Sequence, residues 1–240
     1  MTAIYKRELR SYFTTPIGYI FAGMFLAVSG LLFSWLVLTA DSSGNYSYSK
    51  MSTYFVYLLF VFSILIPLLT MKLLSEEKKQ KTEQLLLTSP VTLTGVVIAK
   101  YLAALTIFTG ALIVNSLNYI LLYVYGTPNA AILLSNLLGL FLIGGSFVAV
   151  GLFLSSITEN QLIAAISTIA SIIALLLISL LADRVESQFI RVILKWFSVI
   201  DRYEPFTNGY FDIPAIIYFI SFTAVFLFLT VRVYEKRRWS

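Results

Sequence analysis

A chain of 240 residues has room for one soluble domain or one compact membrane domain, and composition decides between them: 59% of the residues are hydrophobic, 12% are charged, and mean hydropathy is +0.87. Soluble chains carry about twice that charged fraction, so the sequence reads as an all-α polytopic membrane protein, a single domain over residues 1–240. The absence of cysteine and histidine excludes disulfide frameworks, His- or thiolate-based zinc sites and His-based general-base catalysis, while the net charge of +5 follows the spans and calls for no nucleic-acid partner.

Residues 1–16 place Tyr5, Leu9, Tyr12 and Phe13 on one side of a helix and Lys6, Arg7 and Arg10 on the other. This spacing predicts an interfacial helix with its apolar face in lipid and its basic face toward anionic headgroups. The apolar run 17–40 is too long for a signal-peptide core, and Leu38 is not the small residue a cut after Ala40 would want, so it reads as a retained first span. A polar loop, 41–50, leads to span two, 51–74, where Pro67 is expected to kink the last third. After a charged segment, 75–95, comes span three, 96–125. It is longer than the about 20 residues a bilayer requires, so tilt or protrusion is expected.

Span three carries Asn115 and Asn118, three apart on one face. Amides at that depth need partners. They either line a pathway or act as interhelical glue worth about 1 kcal/mol each. Lys100, near the start of the span, is expected to snorkel to the surface. A turn at Gly126–Asn129 leads to span four, 132–154, in which Gly145/Ala149 and Gly151/Ser155 are spaced for close helix contact. A short turn, 155–161, and span five, 162–182, follow.

The segment 183–212 is too charged to span. Within it, 185–200 has a polar stripe of Gln188, Arg191, Lys195 and Ser198, which predicts an amphipathic or re-entrant helix with Phe189, Ile193 and Trp196 in apolar surroundings. Span six, 214–231, starts with a proline whose missing N–H costs nothing there. A basic tail closes the chain.

With six spans both termini share a side with the 75–95 segment and the 155–161 turn. That side holds 12 of the 17 basic residues. The positive-inside rule therefore makes it cytoplasmic and places the segment 183–212 outside.

The 75–95 segment is the polar island of the chain. Glu76, Glu77, Lys78, Lys79, Lys81 and Glu83 are followed by Leu85, Leu86 and Leu87, and then by Ser89-Pro90. Glu77 and Lys81 form an i,i+4 pair in the favourable orientation, which predicts a short surface helix over 76–88. The proline stops it. The alternatives are a docking face for a soluble partner and an ordinary solvated loop. Glu76-Glu77 with Lys81 is also similar to the paired-glutamate signature of CAAX-type intramembrane proteases. Those enzymes need histidine ligands, and this chain has none.

The run L-L-S-E-E-K-K-Q-K-T-E-Q-L-L-L-T-S-P, followed by V-I-A-K-Y-L-A-A, resembles the signature loop of ABC-2-type transporter permeases. The blocks I-Y-K-R-E-L-R-S-Y-F-T-T-P and V-R-V-Y-E-K-R-R-W at the two ends resemble the gliding-motility-type subgroup. The resemblance implies a six-span permease half in the bacterial inner membrane. It would form an exporter-type pathway with a second copy or a related permease, and an accessory protein outside could join it. The resemblance also implies a coupling element that fits a cytosolic ABC ATPase: Glu76, Glu77, Lys78, Lys81, Thr82, Leu85, Leu86 and Pro90. The chain lacks any phosphate-cradling G-x-x-x-x-G-K-[ST] run. ATP and Mg are thus expected in the partner, and no cofactor and no catalytic residue in this chain. A membrane anchor for mechanical or assembly work, or a secondary transporter, are the other readings. The last lacks acidic residues or histidine within the spans to carry protons.

Overall fold

The structure, a computed structural model, describes residues 2–38, 51–82, 92–125, 129–182 and 184–238. Among the described residues the regular structure is helical throughout. In chain order the helices are α1 (Thr2–Thr14), α2 (Pro16–Leu36), α3 (Met51–Thr70), α4 (Ser75–Lys79), α5 (Leu93–Ser116), α6 (Asn118–Tyr125), α7 (Ala130–Ile157), α8 (Gln161–Ala182), α9 (Gln188–Phe197), α10 (Val199–Thr207) and α11 (Ile213–Arg238). Among the described residues six helical stretches are long and apolar enough to cross a membrane: those of α2, α3, α5 with α6, α7, α8 and α11. Lipid offers no partners to backbone N–H and C=O groups, so each apolar run has to satisfy them internally, as a helix does.

Local chemistry sets the helix starts. Pro16 opens α2 behind an extended Thr15, where a proline loses no helical bond. The Asn129 side chain accepts the Ala131 N–H at 2.9 Å at the head of α7, and Asp212 accepts that of Ala215 at 3.1 Å in the first turn of α11. Both satisfy donors that a helix start leaves open.

Two spans depart from the expected bounds for visible reasons. The α-helix of span two ends at Thr70, three residues beyond Pro67, and Met71–Leu74 turn before the chain re-enters helix at Ser75. Span three is not one continuous helix. It breaks at Leu117, where Leu117 N–H bonds to Val114 and Ile120 N–H to Leu117, each closing a tighter i→i+3 turn.

Helices α3 and α7 form the interior, with about two thirds of their apolar windows buried (61% and 67%), against 17% for α11. Small residues let α7 come close to its neighbours. A Cβ on Gly151 would lie 2.2 Å from Thr70 Oγ1 on α3, and one on Gly144 would lie 2.0 Å from the Phe108 ring on α5. The Gly151/Ser155 spacing thus marks the α7 face that meets the end of span two.

Helix α1 differs from the lipid-lying helix expected of its sequence. Tyr12 is buried and donates its hydroxyl to the Leu69 carbonyl at 2.9 Å, and Glu8, one turn earlier, is buried beside it. Burial pushes the Tyr12 hydroxyl above its ordinary pKa, so it stays a donor. Only Phe13 of the expected apolar face is well exposed. The helix is docked on protein, where Glu8 meets Lys100 of the bundle in addition to its neighbour Arg7.

At the far end the helix expected over 185–200 covers 188–197, and a second helix follows it from Val199. Helix α9 packs along α8, and α10 drops Tyr203 and Phe206 into the core against α7. Gly139 makes the room: a Cβ there would lie 2.7 Å from the Tyr203 ring.

Candidate functional site: a charged junction at one end of the bundle

Lys100 sits in the first turns of α5 and is 1% exposed. Its ammonium has three donors, and three acceptors surround it: Leu73 O at 2.7 Å, Glu77 Oε1 at 2.9 Å and Glu8 Oε1 at 3.1 Å. Arg7 Nη2 reaches the same two carboxylates, at 2.7 Å from Glu8 Oε1 and 3.0 Å from Glu77 Oε1. The hydrogen bond to Glu8, first among several causes, raises the Arg7 pKa above its ordinary value. Two cations and two carboxylates therefore close a neutral ring joining α1, α4 and α5. Buried charges persist when paired in this way.

This overturns two expectations. Lys100 does not snorkel, because the carbonyl left open at Leu73 and the two carboxylates satisfy it where it stands. Glu77 does not pair with Lys81. Lys81 has φ +58°, so the helix has already ended and no i+4 neighbour exists. Helix α4 covers 75–79 and 80–82 turn, so the expected helix is interrupted there, and its residues 83–88 lie outside the described residues. Leu85, Leu86 and Pro90 of the expected coupling set lie outside the described residues.

The other residues of that set divide by direction. Lys78 is buried, donating to the Ser156 carbonyl at the end of α7 and lying 5.9 Å from the Tyr234 ring of α11. Ser155 Oγ accepts the N–H groups of Leu74 and Ser75, both at 3.1 Å, and donates to Met71 O at 3.2 Å. One serine thereby caps the re-entry into α4. Thr82 donates to the Glu77 carbonyl at 3.3 Å. Glu76 points away from the ring, toward Lys72 at 3.9 Å and Gln80 at 3.2 Å, with its side chain 36% exposed. Sequence reasoning missed Glu8, Arg7, Ser155 and Ser156 as members of this junction. The usable signal was the lysine opening span three, which had to find anions somewhere. The two described ends of the chain meet here, α1 through Arg7 and α11 through Tyr234.

The intramembrane amides lie toward the other end. Asn115 is fully buried and accepts from Tyr54 of α3 at 3.4 Å, while Asn118 donates to Asn115 at 3.2 Å. These contacts tie span two to the break in span three. A third amide, Asn136, accepts from Tyr203 at 2.8 Å and holds α10 to α7. Replacing Tyr203 with phenylalanine should cost about 1–3 kcal/mol, because a buried amide oxygen loses its donor. A thermal-unfolding shift in detergent measures it. No described residue covers Phe189 or Trp196, which are 76% and 67% exposed; the side chain of Ile193 lies outside the described residues. Among the described residues no group of three metal-ligating side chains occurs.

No curated protein matches the chain. A family model described as ABC-2 family transporter protein matches residues 45–235. That range contains α4, Lys100 and the Ser155–Ser156 pair, and leaves α1 with Arg7 and Glu8 outside it. With the match running over most of its length and six helices fit to cross a membrane, the chain belongs to the ABC-2 family of transporter proteins.

Proposed function

We propose that the chain is the permease subunit of an ATP-driven transporter of exporter type in the bacterial inner membrane, closest to the gliding-motility-type subgroup. It works as a dimer with itself or a related permease, driven by a separate cytosolic ABC ATPase that holds the ATP and Mg. The observation that carries this reading is the junction at α4. A short charged helix is tied by buried bonds to the ends of α5 and α7 and by an exposed ion pair to α1, while Glu76 keeps an outward face. A push on that face moves several spans together, which is what a coupling element has to do. The family supports an ATPase partner in general; the terminal blocks of sequence support the subgroup.

Orientation is tested by single cysteines on this cysteine-free background. Cysteines replacing Thr2, Lys79 and Arg238 should be labelled only from the cytoplasm, and those replacing Ser43, Asn129 and Gln188 only from outside. Labelling of the Lys79 position from outside would overturn the reading. Copurification with an ABC ATPase encoded beside it, and ATP hydrolysis that depends on the permease, test the partnership.

A further inference from the structure

Beside the neutral ring an open cleft of about 510 Å³ lies between α1, the start of α2, the turn after α3, and α4. Its charged walls are Arg7, Lys72 and Lys100 on one side of the ledger, and Glu8, Glu76 and Glu77 on the other. Among the described residues the signs balance, three against three. Lys100 is fully engaged, so the groups that still face outward are the Arg7 guanidinium, Lys72 and Glu76, with side chains 58%, 32% and 36% exposed. Glu77 adds a buried Oε2 that has no hydrogen-bond partner among the described residues.

We infer that this cleft binds the headgroup of a zwitterionic aminophospholipid, a phosphoethanolamine whose primary ammonium meets Glu76 and Glu77 and whose phosphate meets Arg7 and Lys72. Three observations select that chemistry. An anionic headgroup would satisfy the cations but face the carboxylates unscreened, and a simple cation would do the reverse; only a ligand carrying both signs suits a balanced wall. The carboxylates demand N–H donors. A quaternary ammonium has none and is held instead by aromatic cages, whereas the cleft offers one aromatic ring, Tyr12, already buried with its hydroxyl bonded to Leu69. Depth selects a lipid over a soluble zwitterion. The lining includes Thr15 and Ile17 at the start of α2, Lys72 just past the end of α3, and Lys100 at the start of α5, the level where spans meet headgroups.

This proposal does not rest on the ATPase partnership, and its test needs no ATPase. The full-length chain, purified and delipidated in detergent, is titrated with dioleoyl phosphatidylethanolamine, its N-methyl and N,N-dimethyl derivatives, phosphatidylcholine and phosphatidylglycerol, with thermal unfolding and native mass spectrometry as readouts. Phosphatidylethanolamine should bind and raise the melting temperature, and affinity should fall stepwise with each N-methyl group. Phosphatidylcholine should bind about tenfold or more weakly, the loss expected when charge-assisted hydrogen bonds go. Phosphatidylglycerol should not substitute. Glycerophosphoethanolamine, which lacks acyl chains, should compete only weakly, and equal competition would make the ligand a soluble zwitterion rather than a lipid. The double variant Lys72→Gln/Glu76→Gln, which leaves the ring of Arg7, Glu8, Glu77 and Lys100 intact, should lose the preference. Equal stabilisation by all the lipids, or an unchanged preference in the double variant, overturns the assignment.

Discussion

Replacing Lys100 with methionine should destabilise the protein by about 3–5 kcal/mol, the cost of breaking a buried ion pair by removing one partner. Methionine matches the volume and keeps the packing, so the loss isolates the charge. It leaves Glu8 and Glu77 sharing Arg7 alone, and it leaves the Leu73 carbonyl without its donor. The effect should show as lower yield of monodisperse protein and a lower unfolding temperature. The triple variant Lys100→Met/Glu8→Gln/Glu77→Gln should recover much of the loss, because a buried charge network can be replaced by neutral groups at little net cost. Lys100→Arg should not rescue fully, since a planar fork cannot reproduce the three diverging bonds of an ammonium. A Lys100→Met protein within about 1 kcal/mol of the parent would show that the ring is not paired as described.

The spans were legible because lipid enforces them: an apolar run of sufficient length has no alternative to helix. Their ends were less so. The end of α7 was placed three residues early at Leu154, since Ser155 and Ser156 look like turn residues until Ser155 is seen capping α4 and Ser156 accepting Lys78. The junction was illegible for a different reason. Its decisive contact, Arg7 to Glu77, joins residues 70 apart, while the sequence offers Glu77 a local partner in Lys81. Local spacing wins on paper and loses in the fold, because Lys81 leaves the helix at positive φ. The break in span three was half visible: Asn115, Ser116 and Asn118 crowd polar groups where a helix is easily diverted. Helix α10 also had a signal. Ser198 followed by Asp201 is a helix-start box, and Ser198 does accept the Asp201 N–H. Pro205, a residue type that ends or kinks helices, nevertheless lies inside this one.

The paired glutamates of α4 should behave as two residues with opposite duties, although they are adjacent. Glu77 faces inward. Lysine there would put a third cation against Arg7 and Lys100, leaving Glu8 as the only carboxylate of the ring. The variant Glu77→Lys should therefore fail at the level of the protein itself, with a stability loss of about 3–5 kcal/mol and poor recovery from the membrane. Glu76 faces outward, with only a long contact to Lys72 and one from Gln80. Glu76→Lys should insert, stay monodisperse and melt within about 1 kcal/mol of the parent, as exposed pairs contribute little. Its effect should appear on the proposed partner: less ATPase copurified, and a loss of permease-dependent ATP hydrolysis that deepens at low ionic strength, where a misplaced rim charge is least screened. Two measurements on each variant separate the roles, unfolding temperature alone and ATPase recovery alone. If Glu76→Lys leaves both unchanged, α4 is a structural tie and the ATPase docks elsewhere. If Glu77→Lys is as stable as the parent, the ring does not hold the junction together, and the lever joining α1, α4 and α5 has to be given up with it.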